Sequence, residues 1–104
     1  ATSFRIDARA QEDFARWHLP GAMNVTYDYL DPTPKAQLKS LAKAAARSKA
    51  QRVVVYGDGD DPDCGEQLGK ELSGSGIKNV FFVGGGAPAL QRLAGQQRDQ
   101  GGKP

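Results

Sequence analysis

The sequence predicts a small α/β domain with a mostly parallel central sheet flanked by helices. Two observations carry this. Short apolar runs with β character alternate with segments of helical periodicity along the whole chain, and two of the runs carry four β-branched or aromatic residues in succession. Such continuous runs suit strands covered on both faces, as in parallel sheets. Phe4-Arg5-Ile6-Asp7-Ala8 alternates apolar and polar side chains and is read as the first strand. Ala10 to Trp17 is a short helical candidate with Phe14 and Trp17 three apart on one side. Thr33 before Pro34 reads as an N-cap followed by proline at the first helical position, and Leu38, Leu41, Ala42 and Ala45 then fall on one face. Arg52-Val53-Val54-Val55-Tyr56 is the second strand. Cys64 to Ser73, with Leu68 and Leu72 four apart, is the next helix, stopped by Gly74 and Gly76. Asn79-Val80-Phe81-Phe82-Val83 is the third strand, and Ala87-Pro88 opens a last short helix carrying Leu90 and Leu93. Residues 1–95 are read as the domain. Residues 96–104, with no large apolar side chain and two adjacent glycines, are read as a flexible C-terminal tail.

Composition bounds the function. The chain has 104 residues, 14 Lys plus Arg against 12 Asp plus Glu, and a formal net charge of +2, which fits one domain. Aromatic and basic residues do not interleave as a stacking surface requires, so no nucleic acid is expected. One Cys allows no intramolecular disulfide, and one His with one Cys allows no zinc cluster of the usual spacing, so neither metal nor cofactor is expected. No apolar run approaches the roughly 20 residues of a membrane span, and a soluble chain is expected. The chain starts at Ala1 and is read as a processed form or a piece of a longer protein, with no compartment assigned.

In a parallel α/β sheet, ligands are expected at the carboxyl ends of the strands. The loop Gly57-Asp58-Gly59-Asp60-Asp61-Pro62-Asp63, ending at Cys64, runs from the second strand into a helix and is the candidate site by topology. Such a loop can turn its amides inward as an anion cradle, and a thiol held there ionises more readily.

Ile6-Asp7-Ala8-Arg9, Glu12 and Phe14, His18-Leu19-Pro20-Gly21-Ala22 with Asn24, Val53-Val54-Val55-Tyr56, Gly76-Ile77-Lys78-Asn79-Val80 and Gly84-Gly85-Gly86 follow one another in an order that resembles the rhodanese homology domain. The resemblance covers roughly residues 4 to 94. It implies a rhodanese-like fold and, for typical members, transfer of sulfane sulfur held as a persulfide on a Cys directly after the central strand. Gly57 stands at that position and has no side chain to carry sulfur. The loop is also somewhat longer than in typical single-domain members and carries four Asp. Each like charge near 4 Å from a bound anion costs about 1 kcal/mol in water-screened geometry, so thiosulfate or phosphate is disfavoured. The family's usual opening strand and helix ahead of Ile6 are missing, and Ala89-Leu90 stands where many members have a Trp.

Two functions from different classes follow. One is a rhodanese homology domain without sulfurtransferase activity, acting as a binding or regulatory module. The other is a sulfurtransferase or thiol redox carrier using Cys64, since some rhodanese-like sequences carry a second Cys near this place. Asp63 beside Cys64 is expected to raise its thiol pKa, and the absence of a nucleophile at Gly57 favours the module.

Other motifs have plainer readings. The four loop carboxylates do not follow the calcium-loop pattern and are read as a solvated acidic turn. His18 is read as fixing the turn into Pro20, and Asp7 and Arg9 as tying loops by charge-assisted hydrogen bonds. Gly84 to Gly86 lacks the ending of a phosphate loop and is read as a flexible strand-to-helix turn. Lys35, Lys39, Lys43 and Arg47 recur every four residues and form one positive stripe, either a solvated face or a docking surface for an acidic protein partner.

Overall fold

The computed structural model describes residues 3–101, with side chains as far as Gly95. Its elements are β1 (Ser3–Asp7), α1 (Gln11–Arg16), β2 (Met23–Asn24), α2 (Lys35–Ser48), β3 (Arg52–Tyr56), α3 (Cys64–Gly74), β4 (Val80–Phe82) and α4 (Gly86–Gly101). The four strands form one parallel sheet in the order β2-β1-β3-β4. The α/β class and the parallel sheet expected from the sequence are present.

The alternation of each strand decides what lies on which face. Ile6, Val53 and Val55 point to one face, where Leu41 of α2 and Leu68 and Leu72 of α3 close the core over them. Leu68, Leu72 and Val55 are fully buried. Asp7 and Tyr56 point to the other face, also fully buried, where Trp17 packs edge-on to Tyr56.

Three sequence expectations are corrected, and one strand is new. Thr33 does not cap α2: the N-cap is Pro34, with no side-chain cap bond, and Thr33 instead gives its amide and hydroxyl to the Glu71 carboxylate of α3. A charged acceptor outcompetes the local cap. Trp17 is extended rather than helical, since its carbonyl accepts from Arg9 and its ring covers Tyr56. The strand β2 had no expectation, because two residues carry no readable alternation. Finally, α4 is long rather than short and continues to Gly101. The expected tail over 96–104 is therefore described as backbone to Gly101 only, and residues 102–104 lie outside the described residues.

The polar hub of the fold lies at the carboxyl end of β1. The Asp7 carboxylate accepts the Arg9 amide at 2.9 Å, Nε at 3.0 Å and Nη2 at 2.8 Å. The guanidinium also donates to the Trp17 carbonyl and lies 5.9 and 5.8 Å from the ring centroids of Trp17 and Tyr56. The Asn24 amide donates to the carbonyls of Asp7 and Arg9, which fixes β2 beside β1. Asp7 and Arg9 thus tie loops together, as read from the sequence. Removing one partner of a buried pair strands the other charge and costs about 3–5 kcal/mol. Arg9→Ala is therefore expected to lower the urea unfolding free energy by about that amount, while Asp7→Asn with Arg9 intact loses less. Equal urea midpoints for Arg9→Ala and the parent chain would remove the pair from this role.

Candidate functional site

The loop of residues 57–63 starts where β3 ends, and its first residue is walled in on three sides. Gly57 is buried, and its carbonyl accepts the Ala87 amide of α4 at 2.7 Å. A Cβ at position 57 would overlap Asp63 Oδ1 and the Gly65 amide nitrogen and lie 2.7 Å from Cys64 Sγ. A Cβ at Gly86 would in turn overlap the Gly57 carbonyl oxygen and lie 2.5 Å from the Gly59 amide nitrogen. Gly86, in the left-handed region at φ 58°, thus lets the β4–α4 turn lie directly against the loop. The sequence reading of Gly84 to Gly86 as a strand-to-helix turn fits this, but the turn also forms a wall of the site.

The four loop carboxylates separate in the fold. Asp60 and Asp61 are exposed, and the Asp58 carboxylate accepts the Asp60 amide at 3.0 Å. Asp63 is 6% exposed and caps α3, accepting the Gly65 amide at 3.0 Å. The solvated-turn reading holds for Asp60 and Asp61 and is corrected for Asp63. The signal for this was present, because Asp before a helix is a preferred N-cap. Burial pushes the Asp63 carboxyl above the usual carboxylate range, against the lowering effect of the amides. The Gly65 amide, which could otherwise face an outside anion, is therefore already bonded to a side chain of the loop itself.

Cys64 is 4% exposed, at the first position of α3. Burial first, then the charges of Asp58 and Asp63, push its thiol up to about 11, against the lowering effect of the Asp58 and Gly65 amides. The rise expected from Asp63 is thus present, with burial as the larger cause. One ligand atom each from Asp58, Asp63 and Cys64 lies within 4.8 Å of the others, but the Asp58 and Asp63 carboxylates already accept the amides of Asp60 and Gly65. Tyr29 donates to the Pro62 carbonyl at 3.0 Å and holds the loop's far end, a contact with no sequence signal.

Other candidates lie apart from this cluster. The His18 ring stacks on Phe14 at 3.9 Å, and its Nδ1 is 2.9 Å from the Phe14 carbonyl oxygen. Lys35, Lys39, Lys43 and Arg47 are all exposed on α2, with no acidic partner among the described residues. Lys35 and Lys39 border a groove of about 510 Å³ between α2 and α3, whose walls include Pro32, Leu38 and Ala42. The sequence reading identified the stripe but not the groove, which exists only once the two helices are brought together.

The rhodanese-like domain family matches residues 3–93, nearly the whole described chain. This chain is a rhodanese-like domain. No curated protein and no solved structure matches it. No helix among the described residues of this rhodanese-like domain is long and apolar enough to cross a membrane.

Cys64 is expected to resist alkylation by iodoacetamide at pH 7 and to react faster as pH climbs towards 11 or as urea opens the fold. The same upward shift fixes the sign for stability. The neutral thiol favours folding fully below its ordinary pKa near 9, and that contribution is lost as pH rises through about 11. Cys64→Ala should remove this part of the alkaline destabilisation. Complete labelling of native protein within minutes at pH 7 would show a thiolate that the burial does not permit.

Proposed function

We propose that this rhodanese-like domain acts as a binding or regulatory module without sulfurtransferase activity. The observation that carries the reading is the crowding around Gly57. The position where typical members of the family hold sulfur lacks a side chain, and the space a Cβ needs is taken by Asp63, Gly65 and Cys64. The buried Asp63 side chain supports it further, because it takes the Gly65 amide, which would otherwise be free to face an anionic donor. Cys64 is the alternative carrier. Its burial and its raised pKa count against the thiolate that persulfide chemistry needs.

The binding surface in this reading is the α2 stripe with the groove beside it. Its unpaired cations and apolar walls fit an acidic protein segment that also carries apolar side chains.

Two measurements test the proposal. Thiosulfate-to-cyanide sulfur transfer is expected to equal a protein-free control, and intact mass after incubation with thiosulfate or a persulfide donor is expected to show no reductant-sensitive gain. Gly57→Cys alone should leave both unchanged, because the added side chain meets the Asp63 carboxyl and the Gly65 amide. Turnover by the parent chain above that of Cys64→Ser would establish the carrier instead.

For the surface, reversing Lys39 and Lys43 to Glu is expected to shift stability by less than about 0.5 kcal/mol, since both are exposed. Retention of a captured acidic partner should fall with that double reversal and with salt above about 0.1 M, where the screening length is ~10 Å. It should not fall with reversal of the exposed Lys70 and Lys78. Equal retention by both reversed proteins at low salt would return the stripe to a solvated face.

A further inference from the structure

The groove beside α2 extends past its first hollow. A second hollow, of about 350 Å³, shares Ala42 and Ser75 with the one of about 510 Å³, and the two run as one furrow along α2 from Pro32 to Ala50. One wall is α2 itself, where Leu38, Ala42 and Ala46 follow one another four residues apart. The other is the end of α3 and the chain just beyond it, where Gly74, Ser75 and Gly76 keep the wall low. Small residues on both sides let a further element settle close to the two helices.

The furrow carries its charge on one side. Lys35 and Lys39 stand on the α2 rim, and Lys43 and Arg47 continue their row at the same spacing. Among the described residues Glu71 is the one carboxylate that borders either hollow, and it already accepts the Thr33 amide at 3.1 Å and the Thr33 hydroxyl. The α2 cations therefore face no competing acid across the furrow.

The walls also decide what kind of backbone fits. The amides of Ser75, Gly76 and Ile77 donate to the carbonyls of Glu71, Ser73 and Leu72, and between its ends α2 spends its backbone groups on itself. An extended peptide laid here would leave its own N–H and C=O groups unpaired against apolar side chains, whereas a helix satisfies them internally. The spacing agrees. Four residues of helix advance about 6 Å, so acidic side chains four apart stay level with Lys35, Lys39, Lys43 and Arg47; alternate residues of a strand advance about 6.6 Å and drift by about 2 Å over the row.

We propose that the furrow along α2 takes an acidic amphipathic helix of a partner protein, with Asp or Glu every four residues facing Lys35, Lys39, Lys43 and Arg47, and with apolar side chains of the adjoining row seated between Ala42 and Ser75. The partner so specified rests on the reading of this domain as a binding module. Apolar contact supplies the burial, and the cation row fixes the register, because Ala42, Gly74 and Ser75 offer little shape to select one.

Fluorophore-labelled synthetic peptides of about 18 residues, titrated with the full chain at about 0.05 M salt and followed by anisotropy, test this. The first peptide has Glu at every fourth position and Leu three positions after each Glu. The others are a scramble of the same residues, a version with one mid-chain Pro, and a version with Lys in place of Glu. The first peptide is expected to bind and to gain helical circular dichroism as it does, since a free peptide of this length is only marginally helical. Each of the others should bind at least tenfold more weakly. In the protein, Lys39→Glu with Lys43→Glu should weaken the first peptide at least tenfold. So should Ala42→Gln, which fills the furrow where its hollows meet and leaves the charge unchanged; Ala46→Gln, at an exposed position, repeats that test, and thermal melts confirm that each variant is folded.

No binding of the first peptide up to millimolar protein overturns the proposal. Equal binding of the Pro peptide also overturns it, leaving an acidic docking surface with no helix in it. Binding that the filled furrow of either folded Gln variant leaves unchanged does the same. Sulfur transfer separates these failures from a failure of the module reading: a domain with no transfer that binds no helix loses this proposal alone, and a domain that turns over thiosulfate loses both.

Discussion

A fully buried aspartate paired to an arginine is the constraint around which this small domain is arranged. Asp7 is held inside the fold because Arg9, two residues later, reaches back to it with both its amide and its guanidinium. Every neighbouring element then takes its position from that pair. Trp17 gives its carbonyl and its ring to Arg9, Tyr56 stacks from β3, and Asn24 holds the chain turn that follows Asp7. The Tyr56 hydroxyl accepts the Leu19 amide at 3.0 Å, and burial pushes its phenol up to about 12. Since the loop at residues 57–63 leaves directly from Tyr56, the placement of the candidate site is inherited from a charge pair on another strand. The apolar core under α2 and α3 supplies cohesion, and the polar hub supplies register.

The separation of roles explains why α2, α3 and the strands β1, β3 and β4 are legible in the sequence while β2, the length of α4 and the connections are not. Val53 to Tyr56 and Leu68 with Leu72 are periodic, local signals, and they sit where the pattern places them. Thr33 was misread because a cap is judged from its own few neighbours, whereas its partner Glu71 comes from α3, 38 residues along the chain. Trp17 left its helix for the same kind of reason, drawn out by Arg9 and Tyr56. At the site, the sequence identified the loop and the substitution at Gly57, since both follow from the order of motifs. It did not reveal that Asp63 turns inward and that Gly86 closes the wall, because those depend on how two strand-to-helix turns lie against one another.

The domain thus presents a contrast between its two ends of interest. The strand-end loop is largely closed on itself, with Asp58 and Asp63 accepting the amides of Asp60 and Gly65 and the Cys64 thiol buried. The α2 surface is the reverse, four cations and an apolar groove without partners among the described residues. Polar groups that are already paired have little to gain from a ligand, and unpaired ones have more. Physical chemistry therefore directs attention from the place where the family keeps its chemistry to a helix that faces outward.

The packing at Gly57 also bears on how such a chain could change over generations. A side chain there collides with Asp63 and the first turn of α3, and one at Gly86 collides with Gly57 itself. Neither position can be altered profitably while the others stay as they are, so mutations around the loop are strongly epistatic. A lineage with this loop cannot regain a bulky residue after β3 by a single codon change. It would first have to shorten or re-route the segment from Asp58 to Asp63, passing through forms in which α3 lacks its cap.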